Sequence, residues 1–105
     1  MPTWQQHQSF LRQWGCVVCR NLGHPDTPAE IHHIRTGTGV GRKADQFDVI
    51  PLCPLHHRNG NHGEAIHAGR RTWEAKFGTE LELMEQAKQA AANHFARYAP
   101  DSLTG

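Results

Sequence analysis

The stretch Pro51-Leu52-Cys53-Pro54-Leu55-His56-His57 constrains this chain more than any other. Cys53 and His56 have the C-x2-H spacing that lets a thiolate and an imidazole close on one zinc ion. His57 is the very next residue, so it must point elsewhere and serve something else. Cys16-Val17-Val18-Cys19 supplies a C-x2-C pair, the second half of a tetrahedral site. A total of 3 cysteines is odd and argues against a closed disulfide framework. With the C-x2-C pair it points instead to metal ligation in a reducing compartment. The other readings of Cys16 and Cys19 are a redox pair or two ordinary buried thiols. No thioredoxin-like strand and helix surrounds them to support the first. A staple also suits the composition. Only 37% of the 105 residues are hydrophobic, a modest supply for one core. Structural zinc couples an apparent ~10–16 kcal/mol to the folding of small domains.

The rest of the chain builds a frame around these ligands. Thr3 and Gln6 form a capping box, and Trp4, His7, Leu11 and Trp14, with Phe10 beside them, recur at helical spacing. This predicts a helix over 4–14 ended by Gly15, with His7 structural or exposed. Gly23, Pro25 and Pro28 mark a loop over 20–30. Glu30 to Ile34 reads as a short strand whose alternation puts Ile31 and His33 on one face and Glu30, His32 and Ile34 on the other. Two adjacent histidines on a strand cannot share one purpose: one can bind a metal while the other acts on substrate or water. Ile31 is expected to shield His33. Residues 35–43 form a glycine-rich, basic loop that fits neither dinucleotide nor P-loop patterns; it can place Arg35, Arg42 and Lys43 against phosphates. Asp48 to Leu52 reads as a second strand, with Pro51 suited to an edge. Pro54 then opens a short helix interrupted at Asn59-Gly60-Asn61. His62 and His67 follow among glycines. Arg70 to Phe77 is a helical piece stopped by Gly78, and Thr79 to Glu82 is a second capping box. Trp73, Phe77, Leu81, Met84, Ala87, Ala91, Phe95 and Tyr98 read as one apolar stripe through 71–98, opposite a solvated face of Glu80, Glu85, Gln86, Lys88 and Gln89.

The order C-x2-C, His-His on a strand, glycine-rich loop, Asp before a second strand, then Leu-Cys-x2-His-His resembles the HNH, or ββα-metal, endonuclease family over about residues 16–70. Ala29-Glu30-Ile31-His32-His33-Ile34, Ile50-Pro51-Leu52-Cys53-Pro54 and Ala65-Ile66-His67-Ala68-Gly69 resemble more narrowly the phage recombination-enhancement, RecA-dependent nucleases. The resemblance implies one α+β domain over 1–105, a small ββα-metal core with zinc knuckles flanked by an N-terminal helix and C-terminal helices over about 71–98. It implies that His32 and His57 are ligands of a catalytic divalent ion, with His67, or else His62, completing the shell. It makes His33 the general base and puts Asp48 at the position of the motif's middle Asn, which orients that base. Cys16, Cys19 and Cys53 match the structural zinc knuckles, with His56 in place of the fourth Cys.

The residues agree chemically. A neutral His with an ordinary pKa near ~6.5 can take a proton from water at physiological pH. An ion with few protein ligands keeps positions open for phosphate, whereas a closed Cys3His site does not. All-imidazole ligation suits zinc, nickel and similar ions better than magnesium, and the catalytic ion is expected to be one of zinc, nickel, manganese or magnesium. The expected activity is metal-dependent hydrolysis of DNA phosphodiester bonds, of phage or prophage origin, with a recombinase filament as a possible partner. Arg70 and Arg71 join Arg35, Arg42 and Lys43 as expected phosphate contacts, because net charge is only +1 and binding must come from a local patch. Two other classes compete. A non-catalytic zinc module that binds nucleic acid or protein would need only the Cys3His set and would leave four histidines idle. A thiol or metal-handling redox protein is the third. No apolar run approaches the ~20 residues of a membrane span, and no signal-peptide pattern opens the sequence, so a cytoplasmic, soluble protein is expected.

Overall fold

The computed structural model describes residues 2–34 and 45–97. The expectations for Arg35, Arg42 and Lys43 in the glycine-rich loop, and for Tyr98, lie outside the described residues.

Helix α1 spans Trp4–Trp14. It starts on the expected capping box: Thr3 Oγ1 accepts from the Gln6 backbone N–H at 3.1 Å, and Gln6 Oε1 accepts from that of Thr3 at 2.8 Å. It stops at Gly15, whose φ of 96° disfavours side chains and where a Cβ would meet the Thr27 backbone at 2.8 Å. The buried face is His7, Gln8 and Leu11, and Trp4 is exposed, a correction to the expected stripe. Trp4 occupies the first turn, whereas the partner helix is met further along, where Phe10 stacks on His94 at 4.4 Å.

His7 packs its ring 5.1 Å from Phe47. Burial, and then the Lys88 charge, push its pKa below the ordinary value. The unfolded chain therefore takes up this proton more readily, so stability falls as pH drops below the unfolded value of about 6.5. One such group contributes a slope of at most about 1.4 kcal/mol per pH unit. Urea midpoints of wild type and His7→Leu at pH 7.5 and 5.5 check this, with a smaller pH dependence expected in the variant.

The helical turn α2, Val17–Asn21, follows, with Cys16 at its N-cap position. Strand β1, Glu30–His33, pairs antiparallel with β2, Val49–Leu52, in the register Glu30↔Leu52 and His32↔Ile50. Ile34 N–H donating to the Asp48 carbonyl at 3.1 Å adds one more rung. The alternation is as expected: His32 and Ile34 are buried and His33 is exposed. That exposure corrects the idea that Ile31 shields His33. All four β2 residues are buried, because helices pack on both faces of this two-stranded sheet. Pro51 is tolerated there because a sheet of two strands leaves each with a free edge.

After β2 the chain makes a π-helical turn, Leu55–Asn59, and a 3-10 turn, Ile66–Ala68. Helix α3, Arg70–Phe77, ends at Gly78, and α4 spans Glu80–Arg97. The second capping box is present, with Thr79 N–H on Glu82 Oε1 at 2.9 Å and Glu82 N–H on Thr79 Oγ1 at 3.1 Å. Here the expected stripe needs correction. Leu81 is exposed, while Glu80, Leu83, Met84, Ala87 and Ala91 are buried. The break at Gly78 and the restart after Thr79 reset the helical phase, so counting through the break selects the wrong residue in the first turn of α4. The core gathers around the fully buried Trp73, with Val17, Ile34, Ile50, Leu52 and Met84, and the cysteines Cys16 and Cys53 belong to it. The result is a small α+β fold. No described helix is long and apolar enough to cross a membrane.

Candidate metal centres

Cys16, Cys19, Cys53 and His56 converge from two turns. Cys16 sits at the cap of α2, where its Sγ accepts from the Cys19 N–H at 3.4 Å, so the cap itself aims the thiol. Cys53 follows directly on β2, and the turn that begins at Pro54 brings His56 back, with Nδ1 3.2 Å from Cys53 Sγ. Cys19 Sγ lies 3.7 Å from Cys53 Sγ and 3.5 Å from His56 Nδ1, and Cys16 Sγ lies 3.7 Å from His56 Nδ1. A tetrahedron with zinc–sulfur bonds of ~2.3 Å has edges of roughly 3.8 Å. The observed spacings fit that figure, and the soft thiolate and imidazole donors fit the ion. Phe77 meets the His56 ring edge-on at 5.2 Å and closes the site against the core. Burial pushes the Cys16 thiol up to about 12 and raises Cys19, while it lowers His56. A cation entering here displaces thiol protons.

His57 turns the other way. Its Nε2 is 3.1 Å from His67 Nε2, and the ligand atoms of His32, His57 and His67 all lie within 4.8 Å of one another. Strand alternation delivers His32, the π-helical turn delivers His57, and the 3-10 turn delivers His67. Burial, then the proximity of His57 and His32, hold the His67 pKa below the ordinary value, which favours the neutral imidazole that a metal needs. Unlike the first cluster, this one offers three ligands rather than four among the described residues, and His67 is exposed, so it can leave coordination positions open.

His62, the alternative third ligand, is engaged elsewhere. Its Nδ1 contacts the Ala68 carbonyl at 3.0 Å and its Nε2 contacts Thr72 Oγ1 at 3.0 Å. The ring lies over Gly69, where a Cβ would come within 2.5 Å of it. His67, not His62, is thus the residue brought to His32 and His57.

Two carboxylates back this cluster. Glu30 Oε1 accepts from His57 Nδ1 at 2.8 Å, which leaves His57 Nε2 facing His67. Arg58 chelates Glu30 through contacts of 2.5 and 2.9 Å. The Arg58 guanidinium and then His57 hold Glu30 down at about 2, so it stays ionised through the neutral range. Glu80 Oε2 lies 2.8 Å from His32 Nε2. Nothing in the local residue pattern points Glu80 toward this cluster. The signal was available only with the correct phase of α4, in which Glu80 lies one turn ahead of Leu83 and Met84.

His33 is on the opposite face of β1. Its Nε2 lies 3.1 Å from Gln46 Oε1, and the same oxygen accepts from Gln8 Nε2 at 3.2 Å. Gln8 also donates to the Gln46 carbonyl at 2.9 Å, which fixes the amide. Asp48 makes a different contact from the one expected: its carboxylate accepts from Lys88 Nζ at 2.9 Å. The side chain that holds His33 is Gln46, braced by Gln8 from α1, and neither was singled out from sequence. Arg70 and Arg71 are exposed at the start of α3, three and four residues after His67.

Comparison with known proteins agrees over most of the chain. The model of the family described as recombination enhancement, RecA-dependent nuclease matches residues 2–92. The "Uncharacterized protein YdfU" of Escherichia coli (strain K12) is 30% identical over 83 residues, which is 76% of this chain and 20% of that protein. The chain therefore spans about a fifth of the length of this curated relative.

Proposed function

The chain belongs to the recombination-enhancement, RecA-dependent nuclease family, and we propose that it acts as an HNH-type, metal-dependent DNA endonuclease with a ββα-metal core. One observation carries this reading: His56 and His57, neighbours in the chain, enter two different clusters, one with four ligands and one with three. The first suits a structural zinc and the second a catalytic divalent ion, with zinc, nickel and similar ions favoured over magnesium by the imidazole set. When bound, that ion stabilises charge developing on the phosphate and on the leaving oxygen.

The chain's own residues supply the rest. His57 and His32 hold the ion, and His67 completes the protein share of the shell. His33 is the general base. Donation from its Nε2–H to Gln46 Oε1 leaves the Nδ1 lone pair to take a proton from the attacking water. Asp48 acts one step back: its carbonyl accepts from Ile34 and its carboxylate from Lys88, which anchors the end of the strand that presents His33. Arg70 and Arg71, with Arg35, Arg42 and Lys43, contact phosphates. The substrate is DNA, the partner a recombinase filament, the origin a phage or prophage, and the setting the cytoplasm.

Incubation with supercoiled plasmid, linear duplex and circular single strands tests this, with and without each divalent ion and a recombinase filament. Cleavage that requires a divalent ion, in a protein holding two ions per chain, is expected. One ion per chain and no cleavage of any DNA form would instead identify a non-catalytic zinc module.

A further inference from the structure

We infer that Glu80, at the start of α4, is a positioning residue that fixes the tautomer and orientation of His32. The role rests on the reading of His32, His57 and His67 as a metal centre, and it extends that centre to the C-terminal helix.

Glu80 is 4% exposed, on the face of α4 that turns into the core. An ionised carboxylate is costly in such a place unless it is paired and hydrogen-bonded. Among the described residues its carboxylate meets a histidine of the candidate site and an arginine beside it. Oε2 is 2.8 Å from His32 Nε2, and Oε1 is 3.6 Å from Arg70 Nη1. The backbone holds it in place as well, because Glu80 N–H donates to Glu74 Oε2 at 2.8 Å.

The carboxylate is not itself one of the candidate ligands, since it lies outside the set of mutually close ligand atoms formed by His32, His57 and His67. It sits behind His32 as Glu30 sits behind His57. Accepting the proton of His32 Nε2 places the ring's lone pair on Nδ1 and makes the imidazole a stronger donor there. Glu80 was expected on a solvated surface, and no surface role requires it to be buried against a histidine.

The test uses the full chain with its Cys3His site filled with zinc. Cobalt(II) is titrated in and its visible absorption gives the affinity of the second site, while long-range proton–nitrogen NMR reports the His32 tautomer before cobalt is added. Wild type is expected to show His32 protonated on Nε2. Glu80→Gln, which keeps the shape and removes the charge, is expected to weaken cobalt binding by about 10- to 100-fold. It should also shift the tautomer population while leaving the first zinc in place.

Cobalt affinity within threefold of wild type, with an unchanged tautomer, overturns the role. So does a wild-type His32 protonated on Nδ1, a measurement that needs no variant to fold. A wild type that takes up no cobalt overturns the metal-centre reading instead, and the tautomer in that same sample still decides whether Glu80 positions His32.

Discussion

Cys16→Ala is expected to yield a chain that holds no zinc at its Cys3His cluster and no longer unfolds cooperatively. Cys16 is fully buried, belongs to the main core, and caps α2 with its sulfur. Its cluster joins that turn to Cys53, just past β2, and to His56. Zinc coupling in small domains is an apparent ~10–16 kcal/mol, against total stabilities of about 5–15 kcal/mol for ordinary domains. Losing it should exceed what the remaining core supplies. The removed thiol also leaves a gap in the core cluster that includes Val17 and Trp73, and Cys19 and Cys53 are left facing each other at 3.7 Å. Calorimetry of the variant, and of wild type stripped with a chelator, measures the effect. A cooperative transition near the wild-type midpoint in the stripped protein would sink the idea.

The second large effect is catalytic. His33→Ala is expected to lose ~10²–10⁴-fold in cleavage rate, about 3–5 kcal/mol of barrier, the usual scale of general-base catalysis. Fold, both metals and DNA affinity should persist, because His33 is exposed, lies on the face of β1 away from His32, and contacts Gln46 rather than either cluster. His57→Ala should fail differently, by losing the second ion. Metal stoichiometry measured beside cleavage rate separates the two. Loss of an ion from His33→Ala would mean that the roles of His32 and His33 must be exchanged. Cleavage within threefold of wild type would remove His33 from the chemistry altogether.

Much of this arrangement was legible in the sequence because its signals are local. Spacing alone paired Cys53 with His56, and alternation alone separated His32 from His33. Both capping boxes set helix starts that the structure reproduces. What was not legible depends on phase and on distance in the chain. A helical count run straight through Gly78 selects Leu81 and leaves Glu80 on the solvated side, whereas the helix that restarts after Thr79 buries Glu80 and Leu83. The bracing of His33 by Gln8 and Gln46 joins residues 38 apart, and glutamines carry no pattern that announces such a contact. The resemblance favours His67 over His62, and the structure adds the reason: the His62 ring packs over Gly69 and is held by Ala68 and Thr72, while His67 meets His57.

The adjacency of His56 and His57 acts as a reading frame. Between Cys53 and His57 each position has an assignment fixed by one neighbour or the other, and a single peptide bond is the whole separation between the two clusters. A residue inserted between Cys53 and His56 would put Leu55 in the place of His56 and His56 in the place of His57, breaking the first cluster, whereas the same insertion past Asn59 would fall in an exposed turn. The five positions from Cys53 to His57 should therefore keep their length under selection even where the side chains between the ligands drift.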